Sequence, residues 1–285
     1  MGIKFALKPF NLQLILSLIK AMVLLKQLLV ICNIRPIMRI VFLGTNGWYS
    51  TDLGNTVCTL IETKSHYIIL DAGDGFHKID QYIDDDKPII LLLSHIHLDH
   101  IIGLHSLAKL RFKQEINLYG YKGTRKGIGR IIKHPYSSPI AGLPLNFKIN
   151  ELKEGNHNIG FPIICKLLVH ADPCLGYRIE IENKTITYCT DTGVCDNMYE
   201  LAKDADLLIT ECSYKPGQEE WGWPHLKPED AADVALKSNA KKLILTHFDA
   251  STYLTVQERK EAEEIARKTF KNTFTASDDL ELVIE

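Results

Sequence analysis

The chain of 285 residues is 46% hydrophobic and 24% charged with a formal net charge of −2, which allows one large domain or two small ones. The balanced charge excludes a global nucleic-acid signature, so only a local basic patch could serve such binding. Seven cysteines without a C-x-x-C pair indicate a reducing compartment, and we expect a cytoplasmic protein without a disulfide framework or a zinc ribbon.

The first 37 residues differ in composition from the rest. The stretch FNLQLILSLIKAMVLLKQLLVICNI is rich in Leu and Ile, but Lys20 and Lys26 interrupt it, and a membrane span needs about 20 nearly uninterrupted apolar residues. Residues 1–37 are therefore interpreted as an appended or misassigned leader, because Met38 opens a natural first strand. The alternatives are an amphipathic helix that contacts a membrane surface through residues 10–34, and a true span.

Apolar runs rich in Ile and Val alternate with helical patterns from Met38 to the end of the chain. The predicted strands are 39–43, 56–62, 67–71, 88–94, 116–120, 161–169, 177–182, 185–190, 207–211, 242–246 and 280–284. The predicted helices are 76–85, 98–110, 122–133, 196–204, 228–239 and 255–270. This mixture predicts a layered α/β architecture, with residues 38–285 as one domain.

Four of the predicted strands run directly into a residue that can bind a metal ion. These residues are His95, His170, Asp191 and His247. Ligands of layered α/β proteins gather at the carboxyl ends of strands, where loops converge over a rigid sheet. The placement of all four at strand ends predicts a metal site at one edge of the fold.

The stretch HIHLDH adds ligands to the first of these positions. Residues two apart in an extended backbone point the same way, so His95 and His97 can chelate one ion. Asp99 and His100 then begin a helix and can face a second ion. Histidine and carboxylate ligands suit Zn²⁺, with Mn²⁺ or Fe²⁺ as alternatives, and such ions lower the pKa of bound water to about 7. The stretch therefore predicts a binuclear centre whose nucleophile is a metal-bound hydroxide.

The motif His95-x-His97-x-Asp99-His100, followed in order by the three later ligands, resembles the metallo-β-lactamase fold superfamily over residues 38–285. The resemblance implies a four-layer αββα sandwich, with two mixed sheets flanked by helices and the site at one edge of the sheets. It also implies two sets of metal ligands. These are His95, His97 and His170 for one metal and Asp99, His100 and His247 for the other, with Asp191 bridging.

The segment before His247 resembles the ribonuclease Z-like branch of that superfamily. TECSY contains Glu211 and WPHLKPEDAADVA contains His225, and the resemblance implies that Glu211 supports the site while His225 handles protons at the scissile phosphate. Leu226 and Lys227 stand where many relatives carry Ser and Thr, so a surface histidine is the alternative for His225. LDAGDGF resembles the strand-then-glycine turn of the superfamily, which implies that Asp71 accepts a hydrogen bond that orients a ligand imidazole; a turn aspartate is the alternative.

The substrate is less sharply defined by the sequence. No long Gly/Pro-rich arm of the kind that grips tRNA is present, and GTNGWYSTDLGNT resembles the loop of small hydrolases in the same branch. The basic run in 121–134 could meet phosphates, or it is a solvated helix face. Trp221 and Trp223 could line a pocket for a base or an acyl group, or pack in the core.

These observations predict a metal-dependent hydrolase that cleaves a small-molecule or nucleotide phosphodiester. Its expected cofactors are two divalent metal ions, with Zn²⁺ preferred. Its expected catalytic residues are Asp99, Asp191 and His225. The alternatives are a tRNA 3′-processing endoribonuclease, a thioesterase of the glyoxalase II type, and a non-catalytic membrane-associated scaffold of the same fold. A homodimer is compatible with the sequence.

Overall fold

The computed structural model describes residues 38–218 and 222–284, and Met38–Ile284 form one compact unit. The predicted leader, its proposed membrane contact and Trp221 lie outside the described residues. None of the helices in the described ranges is long and apolar enough to cross a membrane.

Two mixed seven-stranded sheets form the centre of the described chain. The first sheet has the order β16-β1-β3-β4-β5-β6-β7, with strands β1 Met38–Gly44, β3 Cys58–Thr63, β4 Tyr67–Leu70, β5 Ile89–Leu92, β6 Ile116–Tyr121, β7 Phe147–Leu152 and β16 Leu280–Ile284. The second has the order β15-β13-β12-β11-β10-β9-β8, with strands β8 Gly155–Asn158, β9 Pro162–Leu167, β10 Leu175–Ile181, β11 Lys184–Cys189, β12 Leu207–Glu211, β13 Leu243–Thr246 and β15 Thr273–Thr275. A separate ladder pairs β2 Asn46–Gly47 with β14 Phe248–Asp249.

The alternation of side chains along the strands creates the layers. In β1, Ile40 and Phe42 join the inner core between the sheets, whereas Val41 and Leu43 belong to the outer core of the first sheet. Successive strand residues point to opposite faces, so a strand buried on both sides must be apolar at nearly every position. Each such side chain contributes about 1.5–3 kcal/mol on burial.

Helices cover the outer face of each sheet, which gives the αββα sandwich that the sequence predicted. The α-helices are α1 Leu98–Ile101, α2 Thr124–Ile131, α3 Asp196–Ala202, α4 Pro228–Lys237 and α5 Val256–Thr269, and the 3₁₀ helices are Asp74–Gln81, Ile102–Lys109 and Ile140–Gly142. Helix α4 begins with proline in its first turn, and Asp230 accepts a hydrogen bond from the backbone N–H of Lys227 at 3.1 Å.

The predicted helix over 98–110 is a single α-turn followed by a 3₁₀ helix. The reason is a competing set of backbone bonds: His100 O accepts from Ala72 N at 2.8 Å, and Gly103 N donates to Ala72 O at 2.9 Å. These bonds tie the segment to the turn after β4 and interrupt the i→i−4 ladder. A Cβ at position 103 would lie 2.1 Å from Gly73 O, so only glycine permits this approach.

Candidate metal centre

Strand direction brings the candidate ligands to one rim. Strands β4, β5 and β6 run parallel to one another in the first sheet, and so do β11, β12 and β13 in the second. The carboxyl ends of parallel neighbours lie at the same edge, so the loops that follow them converge. His95 comes three residues after β5, Asp191 two residues after β11, and His247 directly after β13.

The structure brings all seven predicted ligands together in two adjoining groups. Within each group the possible ligand atoms lie within 4.8 Å of one another. The first group is His95, His97, His170 and Asp191, and the second is Asp99, His100 and His247.

Asp191 lies between the two groups and turns one carboxylate oxygen toward each. Its Oδ1 is 3.2 Å from His100 Nε2 and 3.1 Å from His247 Nε2. Its Oδ2 is 3.8 Å from His95 Nε2 and 3.9 Å from His170 Nε2. Asp191 therefore presents one carboxylate oxygen to each group.

Hydrogen bonds on the far side of each ring fix which nitrogen faces the centre. His100 Nδ1 donates to Asp71 Oδ2 at 2.9 Å, and His247 Nδ1 lies 3.1 Å from Ser213 Oγ, whose own hydrogen goes to His247 O. Both Nε2 atoms therefore carry a lone pair in the neutral ring, yet they lie 3.1 Å apart. Two facing lone pairs require a proton or a cation between them.

The rings of the first group are fixed less completely, because His170 Nδ1 has no hydrogen-bond partner in the described chain. His97 Nε2 bonds Asp172 at 2.9 Å, so His97 Nδ1 faces His170 Nε2 at 3.3 Å. His95 Nδ1 donates to Ser94 Oγ at 3.0 Å, and its buried Nε2 has no hydrogen-bond partner in the described chain. Tetrahedral ligands about 2.0–2.1 Å from Zn²⁺ lie roughly 3.4 Å from one another, which matches these separations. The donor sets therefore fit two divalent cations.

Asp71 connects the two groups behind the ligands. It is fully buried at the end of β4 and accepts hydrogen bonds from Ser94 N at 2.7 Å, from Ser94 Oγ at 2.8 Å and from Tyr188 Oη at 2.7 Å, besides His100. Ser94 in turn contacts His95, so one carboxylate orients an imidazole of each group. These are the contacts expected of an aspartate that orients a ligand imidazole.

The buried carboxylates of the centre favour positive charge beside them. Burial alone would raise the pKa of Asp191, but His247 and His100 outweigh it and hold that pKa well below its ordinary range. Burial opposes the charged form of His100, but Asp191 and Asp99 outweigh it and raise the pKa of His100. Without a cation, a proton on an imidazole takes its place, so metal ions compete with protons here.

His225 lies beside the first group and is held by Glu211. Its Nδ1 is 2.8 Å from Glu211 Oε1, and its ring centroid is 5.5 Å from that of His170. Burial opposes the imidazolium, but the Glu211 carboxylate outweighs it and raises the pKa of His225 to about 9. Glu211 also accepts from Thr192 N at 2.6 Å, next to Asp191. His225 therefore lies at the cavity with its ring held by the Glu211 carboxylate.

Four residues of the centre adopt left-handed backbone conformations. Asp71 and Asp191, with φ of 56° and 48°, are of a type that tolerates this region, whereas Trp48 and His247, with φ of 69° and 49°, adopt it less readily. His247 uses this turn to leave β13 and enter β14, which pairs with β2. The pairing lays Gly47 against the His247 ring, where an added Cβ would be 2.5 Å from Cε1.

A cavity of about 750 Å³ opens over both groups. It is lined by the ligands His97, Asp99, His170, Asp191 and His247 and by Gly47, Trp48, Leu98, Ser213, Tyr214, Trp223, His225, Asp249 and Ser251. Trp223 therefore lies in the cavity wall. This is the first of the two alternatives stated for it, lining a pocket or packing in the core.

Several residues that contact the proposed ligands carry little or no signal in the sequence. Ser94, Ser213 and Tyr188 orient ligands, but each is a single polar residue within an apolar strand or just after one, with no spacing signal. Asp172 had a weak signal, because it stands two residues after His170 in a loop. Trp48 donates its backbone N–H to Asp99 Oδ2 at 2.8 Å, a contact that no side-chain pattern encodes.

Fold and site define the class, a metal-dependent hydrolase on an αββα sandwich. Residues 66–248 match the family model described as the beta-lactamase superfamily domain, and the chain belongs to that superfamily. Among curated relatives, ribonuclease Z from Bacillus thuringiensis (strain Al Hakam) and from Bacillus cereus (strain AH187) are each 28% identical over 309 residues, covering 85% of this chain and 97% of the relative.

Solved structures share the fold. The metallo-beta-lactamase fold protein YhfI from Bacillus subtilis has a TM-score of 0.73 at 20% identity, covering 87% of this chain and 99% of that protein. Human tRNase Z, short form, has a TM-score of 0.68 at 22% identity, with coverage of 87% and 99%. A diphosphatase from the PhnP family has a TM-score of 0.66 at 17% identity, with coverage of 87% and 98%. At such identities these likenesses show the fold.

Proposed function

We propose that this hydrolase is a binuclear phosphodiesterase that acts on a small-molecule or nucleotide diester, with Zn²⁺ as its metal. The observation that carries the proposal is the position of Asp191, which turns one oxygen toward each of two ligand groups. Two adjoining cations are the arrangement that favours displacement at phosphorus, where charge spreads over several oxygens. A cytoplasmic location is part of the proposal, supported by the absence of disulfides among the described cysteines.

The proposed ligands are those the sequence predicted. His95, His97 and His170 would hold one ion, and Asp99, His100 and His247 the other, with Asp191 shared. When bound, the ions supply Lewis acidity, which lowers the pKa of water and neutralises charge on the phosphate oxygens. The chain's own contribution is rigidity, because Asp71, Ser94, Ser213 and Asp172 fix the orientation of four imidazoles before substrate arrives.

His225 is the proposed proton donor for the leaving alkoxide. Its Nδ1 is occupied by Glu211, so Nε2 is the nitrogen that can hold a proton for a group in the cavity. A pKa raised to about 9 keeps that proton in place at neutral pH. Asp99 and Asp191 would help to hold the cations, and they complete the predicted catalytic set.

The cavity favours a compact substrate. Its volume of about 750 Å³ suits a drug-sized or nucleotide-sized molecule. The alignment with the Bacillus ribonucleases is 309 residues long and covers 97% of each relative, but it includes only 85% of this 285-residue chain. Those relatives therefore carry segments that have no counterpart here. Both observations support a small diester over a large folded RNA.

An RNA 3′ end is the second candidate, because the curated relatives are ribonucleases Z and a basic helix adjoins the site. Helix α2 exposes Lys126 and Arg130, and a Cβ at Gly127 would come within 2.4 Å of Ile96, which stands between two proposed ligands. If the phosphates of an RNA lay along α2, the affinity for that RNA would depend strongly on the salt concentration.

The proposal is tested with zinc-loaded protein and bis-p-nitrophenyl phosphate. His97→Ala and Asp191→Ala should abolish cleavage while circular dichroism shows an intact fold, and the exposed His105→Ala serves as the matched histidine control. Elemental analysis should find two zinc ions per chain. Cleavage by both variants at the wild-type rate would refute the mechanism, and a thioester or an RNA 3′ end cleaved in place of the diester would redirect the substrate assignment.

A further inference from the structure

Two tryptophans stand in the wall of the cavity with their indoles largely uncovered. Trp48 is 66% exposed and Trp223 is 50% exposed, and both line the same space as the proposed metal ligands. Large aromatic side chains gain free energy from burial, so two exposed indoles at one concave site indicate a surface that a ligand covers.

Trp48 is held in position through its backbone. Its N–H donates to Asp99 Oδ2 at 2.8 Å, and its φ of 69° places a bulky residue in the left-handed region. The neighbouring Tyr49 packs edge-on against the indole with ring centroids 5.3 Å apart. Strain of this kind persists only where the surroundings enforce it, and here it turns the indole toward the cavity beside a proposed metal ligand.

Trp223 approaches the centre from the other group of ligands. Its ring centroid is 6.0 Å from that of His97 and 5.9 Å from that of His170. Its carbonyl accepts from Tyr214 Oη at 2.6 Å, and Tyr214 O accepts from the buried Tyr253 Oη at 2.8 Å. The indole is therefore anchored to the protein core through its own backbone.

The remaining lining residues show what kind of group these indoles would cover. No lysine or arginine is among the described residues that line the cavity, whereas Asp249 and Ser251 add an acid and a hydroxyl. Apart from His225, which is assigned to the leaving group, the described wall thus offers aromatic faces and hydrogen-bonding groups, with no lysine or arginine to pair with further phosphates. A planar, uncharged heteroaromatic group next to one phosphodiester matches this chemistry.

We infer that the substrate is a nucleotide diester whose base stacks on Trp48 and Trp223 while its phosphodiester lies over the seven proposed ligands. This inference rests on the proposed phosphodiesterase function and names its substrate class. Stacking of a base on an aromatic side chain changes affinity by about 5- to 150-fold on alanine substitution. The two indoles therefore determine specificity for the nucleoside side of the diester.

The test compares two diesters with the same charge and leaving group, thymidine 5′-p-nitrophenyl phosphate and methyl p-nitrophenyl phosphate. The quantity measured is the ratio of their kcat/KM values, because this ratio cancels any change in the metal centre itself. Zinc-loaded wild-type protein should prefer the thymidine ester at least tenfold. Trp48→Ala and Trp223→Ala should each reduce the ratio about fivefold or more, and Trp48→Phe should restore part of it.

Tyr136→Ala is the matched control, because Tyr136 is 75% exposed and does not line the cavity. It should leave the ratio unchanged. Equal kcat/KM for the two esters in the wild type would overturn the inference while leaving the phosphodiesterase proposal in place.

A binding measurement keeps the inference testable even if no diester is cleaved. Calorimetric titration of the zinc-loaded protein with uridine 5′-monophosphate and with ribose 5-phosphate isolates the contribution of the base. The nucleotide should bind about tenfold more tightly, and both alanine variants should remove the difference. Equal affinity for the two ligands would refute base stacking. Tight, salt-sensitive binding of an RNA oligomer that Lys126→Gln weakens and the tryptophan variants do not would also overturn it, in favour of a polynucleotide gripped by α2.

Discussion

Replacement of Asp71 by asparagine tests whether this carboxylate supports the metal centre. Oδ2 accepts hydrogen bonds from His100 Nδ1 at 2.9 Å and from Tyr188 Oη at 2.7 Å, whereas Oδ1 accepts from Ser94 N at 2.7 Å. An amide can place its oxygen on only one of these sides. Its NH₂ group then faces either His100 and Tyr188 or the buried N–H of Ser94.

Either orientation leaves a buried donor without an acceptor, which costs about 1–3 kcal/mol of stability per donor. Loss of an outer partner of a ligating histidine lowers metal affinity about 10- to 100-fold. Asp71→Asn should therefore weaken zinc binding by that factor while the sandwich still folds.

The assay is competition between the protein and a chromophoric zinc chelator, with thermal unfolding in excess chelator to measure the metal-free fold separately. Tyr188→Phe, which removes one donor and keeps the carboxylate on His100, should cost much less affinity. Asp206→Asn is the remote control, because Asp206 accepts from Thr185 N and Lys241 Nζ at 2.8 Å each and contacts no proposed ligand. Wild-type zinc affinity in folded Asp71→Asn protein would refute the reasoning.

Two further predictions concern the rim and the proton donor. Gly47→Ala should displace the His247 ring, because the new Cβ would lie 2.5 Å from Cε1 of that ring. Elemental analysis of the variant should then find close to one zinc ion per chain in place of two. Retention of both ions would contradict this prediction. Glu211→Gln should move the alkaline limb of the pH profile of kcat/KM to lower pH, because Glu211 raises the pKa of His225 to about 9 and its loss lets His225 give up its proton earlier. An unchanged alkaline limb would show that His225 is not the titrating donor.

The sequence predicted the layers and the approximate strands because burial imposes a strong pattern. Strands such as Leu207–Glu211 and Leu280–Ile284 match their predicted limits, since their apolar runs end at polar or turn-forming residues. The sequence did not predict strands β2, β7, β8, β14 and β15. Strand β8 shows one reason, because it is the polar stretch GNHN at a sheet edge. Its pairing with β9 comes from the backbone and leaves no hydrophobic trace.

The ligand set could be read from the sequence because each ligand lies close to a strand end or within one short motif. The network behind the ligands could not. Tyr188 reaches Asp71 across 117 positions, and Ser213 reaches His247 across 34. Single hydroxyls at such separations carry no periodicity, so only the folded arrangement of the two sheets identifies them.

The two sheets explain how such a centre exists at all. Lone pairs of His100 and His247 face each other at 3.1 Å, and Asp71, Asp191 and His247 occupy left-handed backbone conformations. Neither feature is favourable locally, so the packed strands on both sides must hold them in place. Burial of the two sheets therefore holds together two imidazoles whose Nε2 atoms can lie this close only with a proton or a cation between them. A cation can take the place of that proton without a rearrangement of the chain, and we therefore predict that zinc raises the unfolding temperature with little change in backbone structure.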